Sequence, residues 1–168
     1  MKKICFTFLF ACLVIVAATE FRGQDAKASN GSAASPTAVE KSYSGMYTFL
    51  REGEFVQVSV EDAGHVTGFI SRYGDSESDN GIFLDQFFKT GKLEGNKLTF
   101  TTQLVHGVTF DFKGTIERGE GKNPGDEAYY LLKGTLTKNV TDTDKKVTSH
   151  SQDVLFKMFP EEAQAAPK

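Results

Sequence analysis

The sequence predicts an all-β protein, a single antiparallel β-barrel of about eight strands that are joined up and down in sequential order. Apolar and polar residues alternate along residues 97–104 and again along residues 108–117, which indicates strands with one buried and one solvated face. Similar segments recur at regular spacing up to residue 159, and no stretch has a helical period. Short sequential turns close eight such strands most simply as an up-and-down barrel, which removes the exposed strand edges.

The first 28 residues are typical of a secretory signal peptide. Lys2 and Lys3 precede an apolar run over residues 4–18, and small residues follow the run. The run is shorter than the ~20 residues of a membrane-spanning helix, which favours a cleaved leader over a membrane anchor. Cleavage after Ala18 and cleavage after Ala28 both fit the pattern of small residues. We therefore expect a periplasmic or secreted bacterial protein.

The two cysteines, Cys5 and Cys12, both lie in the leader. The exported form is therefore expected to have no disulfide, no free thiol and no cysteine metal site. Cleavage after Ala18 leaves 17 basic and 22 acidic residues, so the net charge changes from −3 to −5. Cleavage after Ala28 gives the same net charge. A mildly acidic chain without a basic cluster argues against nucleic acid as a partner.

Composition divides the chain into four segments. The leader is followed by a flexible linker over residues 29–43, which is rich in Ser and Ala and has too few apolar residues to pack. The barrel domain covers residues 44–159. Residues 160–168 are expected to form a disordered, solvated tail.

The first three predicted strands form a meander over residues 45–51, 55–61 and 65–73. Short turns join them, as in β-hairpins. Their alternation of apolar and polar residues gives an inward face. The residues assigned to this face by the alternation are Tyr47, Phe49, Val56, Val58, Val60, Val66, Gly68 and Ile70.

The five remaining strands are predicted over residues 82–90, 97–104, 108–117, 128–138 and 147–159. Polar loops separate them, of which the longest cover residues 74–81 and 119–127. The tripeptide Lys-Gly-Thr occurs twice, with its glycine at Gly114 and at Gly134. Glycines in mid-strand permit the sharp coiling of a barrel wall, which is the favoured interpretation over direct contact with a ligand.

Two short motifs resemble those of calycins. The opening Ser44-Gly45-Met46-Tyr47 resembles the Gly-x-Trp opening of lipocalins and other calycins, with Tyr47 in place of Trp. Residues 91–100 are similar to segments of small exported bacterial barrels of unknown role. The resemblance covers residues 44–159 in pattern and implies a lipocalin-like barrel. The chain has no Trp, which argues against an avidin-like biotin site of stacked tryptophans, and Lys157 stands where lipocalins have a closing Arg.

No catalytic constellation is present in the sequence. The chain lacks a Gly-x-Ser-x-Gly elbow, a His-Glu-x-x-His pair and a phosphate-binding glycine loop. Its three histidines, His65, His106 and His150, lie far apart in sequence, whereas zinc sites normally have closely spaced ligand pairs. We therefore predict a protein that is not an enzyme, with no catalytic residue, no metal site and no cofactor.

The loop over residues 74–81 carries alternate carboxylates, Asp75, Glu77 and Asp79. This spacing resembles that of oxygen ligands in calcium-binding loops. Asn80 stands where the EF-hand loop requires glycine, Gln86 stands where it requires glutamate, and no helices flank the loop. A solvated acidic turn is the favoured interpretation, and a weak calcium site is the alternative.

The inward aromatic residues indicate either a solid interior or a ligand pocket, because an eight-stranded barrel is just wide enough for one small ligand. The leading hypothesis is a non-enzymatic exported barrel that binds a small apolar or amphipathic ligand in its interior or mouth. The alternative is an envelope structural or protein-interaction module that acts through its outer face or through residues 74–81. The candidate ligand-binding residues are Tyr47, Phe49, Phe69, Phe100, Phe110, Phe112 and Phe156, with Tyr47 also a candidate hydrogen-bond donor.

Overall fold

The computed structural model describes residues 43–75 and 79–161 of the 168-residue chain. Eight antiparallel strands form one sheet, in which each strand pairs with its neighbours in sequence. Within the described residues, no helix is long and apolar enough to cross a membrane. The strands are β1 (Gly45–Thr48), β2 (Phe55–Val60), β3 (Val66–Tyr73), β4 (Phe83–Glu94), β5 (Lys97–Thr102), β6 (Val108–Arg118), β7 (Tyr130–Thr141) and β8 (Val147–Lys157).

The sheet curls until the end of β8 meets β1. Tyr47 and Met158 form an isolated antiparallel bridge, and the amide of Phe159 donates to the carbonyl of Met46 at 2.8 Å. This seam involves only the last residues of the β8 segment, because β1 is four residues long. The predicted all-β, up-and-down barrel of eight strands is confirmed.

Alternation along the strands builds the core, as the sequence predicts. Val56 and Val58 of β2 are fully buried, and Ile70 of β3 is buried on the same side. Full burial of one such side chain contributes roughly 1.5–3 kcal/mol. The larger apolar side chains of the core are Tyr47, Phe49, Ile70, Leu93, Leu98, Phe100, Phe110, Phe112, Ile116, Leu132, Leu136 and Phe156.

A series of phenylalanine rings runs across the interior from β4 to β8. The rings of Phe88 and Phe100 stack with centroids 4.3 Å apart, and those of Phe100 and Phe112 stack at 5.2 Å. Phe156 continues the series at 6.3 Å from Phe112 and contacts Phe49 at 5.2 Å. These rings fill the barrel at this level with side chains in direct contact.

Several element boundaries differ from those predicted. The predicted turn over residues 91–96 is mostly strand, because β4 continues to Glu94 and Gly91 pairs with Phe100. Leu93 is buried opposite Leu98, which extends the hairpin to a two-residue turn. β7 also continues to Thr141, beyond its predicted end. The predicted leader, almost all of the linker and most of the tail lie outside the described residues.

The two Lys-Gly-Thr segments are cross-strand partners. Gly114 of β6 pairs directly with Gly134 of β7. A Cβ atom on Gly134 would lie 2.4 Å from the carbonyl oxygen of Lys113 and 2.5 Å from the Cα atom of Gly114. The two backbones therefore approach each other more closely than any side chain at these positions would allow.

Substitution of Gly134 by alanine is expected to lower the free energy of unfolding by about 1–3 kcal/mol, since the new methyl group forces the two strands apart. Urea denaturation measures this loss. Thr135→Ala on the exposed face of the same strand is the matched control, with an expected change within about 0.5 kcal/mol. Equal midpoints for the two variants would contradict the close approach of β6 and β7.

Candidate functional site

One end of the barrel opens into a cavity of about 500 Å³ between the β3–β4 connection and the β5–β6 turn. We call it the mouth cavity. Five of its residues continue the inward phase of their strands, and the other three come from the two connections. The lining residues are Arg72, Asp75, Asp79, Leu84, His106, Val108, Lys138 and Val140.

Arg72 places a buried positive charge at the base of the mouth cavity, with 2% of its surface exposed. Its Nε donates to Oε1 of Gln86 at 3.2 Å, and its Nη1 donates to the carbonyl of Tyr73 and to Oδ2 of Asp75. The guanidinium carbon lies 5.4 Å from the ring centroid of Phe110, which is a favourable cation–π distance.

The Nη2 atom of Arg72 has no hydrogen-bond partner among residues 43–75 and 79–161. No fully enclosed polar side-chain atom in the same residues lacks a partner. Nη2 is therefore reachable from the mouth cavity, and its hydrogens are available to an acceptor there. Charge-assisted hydrogen bonds of this kind are among the stronger ones in proteins.

Gln86 forms a polar layer beneath the mouth cavity and is fully buried. Its Nε2 donates to Oγ1 of Thr102 at 3.0 Å and to the carbonyls of Gln103 and Val108 at 2.8 and 2.7 Å. The hydroxyl oxygen of Thr102 accepts in turn from the amide of Phe110 at 2.9 Å. This layer connects Arg72 of the mouth cavity to β5 and β6.

Asp75 lies at the rim of the mouth cavity and is shared by three cations. Its Oδ2 accepts from Nζ of Lys138 at 2.7 Å and from Nη1 of Arg72 at 2.9 Å, and its Oδ1 lies 3.6 Å from Nη2 of Arg51. Partial burial alone would raise the pKa of Asp75. The hydrogen bond from Lys138 and the charges of Lys138, Arg72 and Arg51 outweigh that effect and hold the pKa below its ordinary value.

Two carboxylates of the acidic loop over residues 74–81 are therefore bound to basic side chains. Besides Asp75, Asp79 accepts a hydrogen bond from Nδ1 of His106 at 2.6 Å. The third carboxylate, Glu77, lies outside the described residues together with Ser76 and Ser78. Over residues 43–75 and 79–161, no group of three or more His, Cys, Asp or Glu side chains is arranged to hold a metal ion.

Acidification is expected to remove the stabilisation that Asp75 provides. Because its pKa is lowered in the folded state, its ionised form stabilises the fold fully above its unfolded pKa, and this contribution is lost as the pH falls through the folded pKa. Asp75→Asn should therefore be less stable than the wild type at pH 6, and the difference should shrink below about pH 4.

Urea denaturation at a series of pH values measures this difference. Asp62→Asn, on the exposed turn before β3, is the matched control and should show no such trend. A difference between wild type and Asp75→Asn that stays constant from pH 6 to the acid limit would contradict the role assigned to the Asp75 ion pairs.

Six of the seven predicted ligand-binding residues are buried inside the barrel, but none of them lines the mouth cavity. Phe110 comes nearest, beneath the guanidinium of Arg72. The hydroxyl of Tyr47 donates to the carbonyl of Tyr43 at 2.7 Å. Burial, followed by the nearby Tyr130 and Tyr43, raises the pKa of Tyr47 far above its ordinary value. Its donor is therefore used within the chain. The six buried residues are Tyr47, Phe49, Phe100, Phe110, Phe112 and Phe156.

The inward placement of Phe69 is corrected by the structure. Its ring contacts Phe55 at 5.8 Å and Phe87 at 5.5 Å on the outer face of β2–β4. The cause is the alternation of β3 itself, because a strand that directs Gly68 and Ile70 inward must direct the residue between them outward. Phe55, Phe69 and Phe87 form an outer aromatic cluster.

Arg72 and Lys138 of the mouth cavity were missed because they are polar residues on strands. The alternation that identified the core residues could also have identified them. Arg72 is the next inward position of β3 after Ile70, and Lys138 is the next inward position of β7 after Leu136. A charged residue in the buried phase is unusual and indicates either a partner or a solvated opening. Both residues lie close to the ends of their strands, where a barrel opens.

Neither a protein-family model nor a curated protein sequence matches this chain. Among solved structures, the chain is similar to rhizavidin (TM-score 0.52, 12% identity, 70% of this chain and 82% of that chain). It is similar to the rhizavidin–biotin complex (TM-score 0.51, 12% identity, 71% of this chain and 94% of that chain). It is also similar to intact apo afifavidin (TM-score 0.50, 14% identity, 74% of this chain and 87% of that chain). At this identity the likeness shows the fold alone, which is that of an avidin-like, calycin-type barrel.

Proposed function

We propose that the protein is a non-enzymatic barrel that binds a small amphipathic ligand in the mouth cavity through an acidic group of that ligand. The observation that carries the proposal is Arg72, a buried cation at the base of an open cavity with one nitrogen available to an acceptor. The avidin-like fold is consistent with a binding role, although fold alone does not assign one.

The size and lining of the mouth cavity fit a small molecule. Its volume of about 500 Å³ lies within the usual range of roughly 300–1,000 Å³ for ligand pockets. Leu84, Val108 and Val140 supply apolar contact, while Arg72 and Lys138 supply positive charge. A ligand with an apolar body and one anionic group would satisfy both kinds of lining.

The ion pairs at the mouth cavity leave Lys138 with hydrogens that an anion could accept. Arg51, Arg72 and Lys138 surround a single carboxylate, that of Asp75, and the carboxylate of Asp79 faces His106. Arg51 also pairs with the buried carboxylate of Glu54 at 2.8 Å, so the three cations are matched by three carboxylates. Lys138 has further ammonium hydrogens beyond the one donated to Asp75, so it can share an anionic group with Arg72.

Titration with two fluorescent probes tests this proposal. Anilinonaphthalene sulfonate has an apolar body and one negative charge, and N-phenylnaphthylamine has a similar body without the charge. We expect saturable binding of the sulfonate at one site and weaker binding of the neutral probe. Lys138→Gln should weaken sulfonate binding about fivefold, since one unit charge at contact distance contributes about 1 kcal/mol in a solvated site.

Lys133→Gln makes the same change on the outer face of β7 and should leave the affinity unchanged. Equal affinities for the charged and neutral probes, or equal effects of the two lysine variants, would contradict an anion site in the mouth cavity. Val140→Asp provides an independent check, because it adds a negative charge to the half-exposed rim and should exclude the sulfonate.

Biotin, the small molecule of the rhizavidin–biotin complex, is a carboxylic acid of suitable size and serves as a competitor in the same titration. This chain has no Trp, so it cannot form a site of stacked tryptophans. We therefore expect biotin to displace the sulfonate only at concentrations close to those needed for other small carboxylic acids.

The ligand is expected to be an extracytoplasmic compound, because we propose that residues 1–28 direct export and are removed. N-terminal sequencing of the protein recovered from a bacterial periplasm tests this proposal. A first residue of Thr19 or Ser29 is expected, and an intact Met1 would contradict export with cleavage.

A second candidate function, an envelope protein-interaction module, is favoured by the outer aromatic cluster. Phe87 is 54% exposed, next to the partly exposed rings of Phe55 and Phe69. Exposed apolar patches of this kind mark interaction sites more often than isolated residues do. Loss of a periplasmic partner in a pull-down with Phe87→Ser, but not with Lys138→Gln, would support this function.

A further inference from the structure

The outer edge of β8 is unpaired over most of its length. At its end, the amide of Lys157 donates to Oγ1 of Thr48 at 2.9 Å, and the next residues form the seam with β1. β1 then ends and the chain turns away into β2. In the described part of the chain, the backbone of residues 147–155 pairs with β7 alone, and every residue from 147 to 153 is exposed.

The direction of the backbone groups shows which residues face this open edge. The amide of Met158 donates to Tyr130 in the β7 segment, whereas the amides of Lys157 and Phe159 point to β1. The β7–β8 register has no bulge, and backbone groups alternate in direction along an antiparallel strand. The odd-numbered residues of β8, from 147 to 155, therefore direct their N–H and C=O groups outward.

The side chains along the edge are self-complementary in one register. When two β8 strands run antiparallel with Ser151 opposite Ser151, Val147 lies opposite Leu155 and Ser149 lies opposite Asp153. Every one of these pairs joins odd-numbered residues, so each can exchange two hydrogen bonds. Val147 is 55% and Leu155 is 51% exposed, and this register covers both on each copy.

We propose that β8 pairs along this edge with β8 of a second copy of the chain, forming a two-fold symmetric dimer with a continuous sheet. The contact is isologous, as in most homodimers, since one patch meets its own copy. A register shift of two residues in one direction places Asp153 opposite Val147 and leaves Leu155 without an apolar partner. The shift in the other direction places Asp153 opposite Ser151 and leaves Val147 without an apolar partner. The edge also lacks the lysine, proline or bulge with which proteins block such pairing.

The oligomeric state of the chain and its variants tests this contact. Sedimentation analysis should find a dimer of the wild type. Ser151→Pro removes an amide that faces the edge but no hydrogen bond to β7, so the fold should remain and the dimer should be lost. Ser151→Lys places two like charges directly opposite each other and should have the same effect. Ser151→Thr is the matched control and should remain dimeric, and near-native circular dichroism of all three variants confirms folding.

Cysteine cross-linking tests the register, in a background with Cys5 and Cys12 replaced by serine. Directly opposed residues have Cα atoms about 5.5 Å apart, within the range of a disulfide. Ser151→Cys should therefore form a cross-linked dimer on oxidation. Asp153→Cys should not, because its counterpart lies four residues away, roughly 13 Å along the strand.

A wild-type chain that stays monomeric at the highest soluble concentration would overturn the proposal. A dimer that survives both Ser151→Pro and Ser151→Lys would overturn the edge contact. Cross-linking through Asp153→Cys in place of Ser151→Cys would overturn the register. None of these results depends on whether the mouth cavity binds a ligand.

Discussion

Glu54→Ala is expected to lower the free energy of unfolding by about 1–3 kcal/mol, which is the usual cost of leaving buried hydrogen-bond donors unpaired. The carboxylate of Glu54 is almost fully buried and accepts four hydrogen bonds or charge contacts from two residues. It receives the backbone amide and the side chain of Arg51 at 2.8–3.0 Å, and the amide of Tyr73 at 3.0 Å. Its removal leaves the backbone amides of Arg51 and Tyr73 without this acceptor at the junction of the β1–β2 turn with β3, while the guanidinium of Arg51 keeps the carbonyl of Tyr73.

Urea denaturation measures the loss, and two variants separate its causes. Glu54→Gln keeps an acceptor oxygen and should lose less stability than Glu54→Ala. Glu52→Ala removes an exposed carboxylate from the same turn and should change the stability by no more than about 0.5 kcal/mol. Equal losses for Glu54→Ala and Glu52→Ala would show that the buried acceptor has no structural role.

Gln86→Leu is expected to lower the free energy of unfolding by about 2–4 kcal/mol, because it leaves several buried polar groups unpaired at once. Leucine has a similar volume but cannot accept from Nε of Arg72 or donate to the carbonyls of Gln103 and Val108. The buried guanidinium loses one of its three hydrogen-bond partners, and the polar layer beneath the mouth cavity is broken.

The matched control for this variant is Gln57→Leu, which makes the same chemical change on the outer side of β2. Its only side-chain hydrogen bond in the described residues is a 3.4 Å contact to a backbone carbonyl, so its effect should be small. If Gln86→Leu were as stable as Gln57→Leu, the polar layer would not support Arg72 as described.

The sequence was sufficient to predict the barrel because its apolar residues follow the strand period closely. Val56, Val58 and Val60 are buried as expected, and so are Phe110 and Phe112 on β6. Turn residues, however, are poor guides to where a strand ends. Gly91 resembled the start of a loop but lies within β4, where the close carbonyl of Val66 leaves no room for a side chain.

The site was harder to predict because its residues come together only in the folded chain. Asp75 and Lys138 are 63 positions apart and meet at 2.7 Å. Their pairing depends on the folded barrel, which places the β3–β4 connection beside the end of β7, and no local pattern encodes that proximity. Glu54 lies in the short turn between the first two predicted strands, and nothing near it in sequence reveals the amide of Tyr73 from which it accepts.

The distribution of tyrosines determines what the protein's own optical signals can report. Tyr129 and Tyr130 contact each other at 4.7 Å, and Tyr43 meets Tyr130 at 4.9 Å, all at the end of β6–β7 opposite the mouth cavity. Arg118 lies over Tyr129 at 3.4 Å, and Tyr47 is bonded to Tyr43. The chain has no tryptophan, so these four tyrosines dominate the near-ultraviolet dichroism and intrinsic emission, which mainly follow the end opposite the mouth cavity. The fifth tyrosine, Tyr73, lies at the end of β3 next to Arg72 and is the one through which an occupant of the mouth could change these signals.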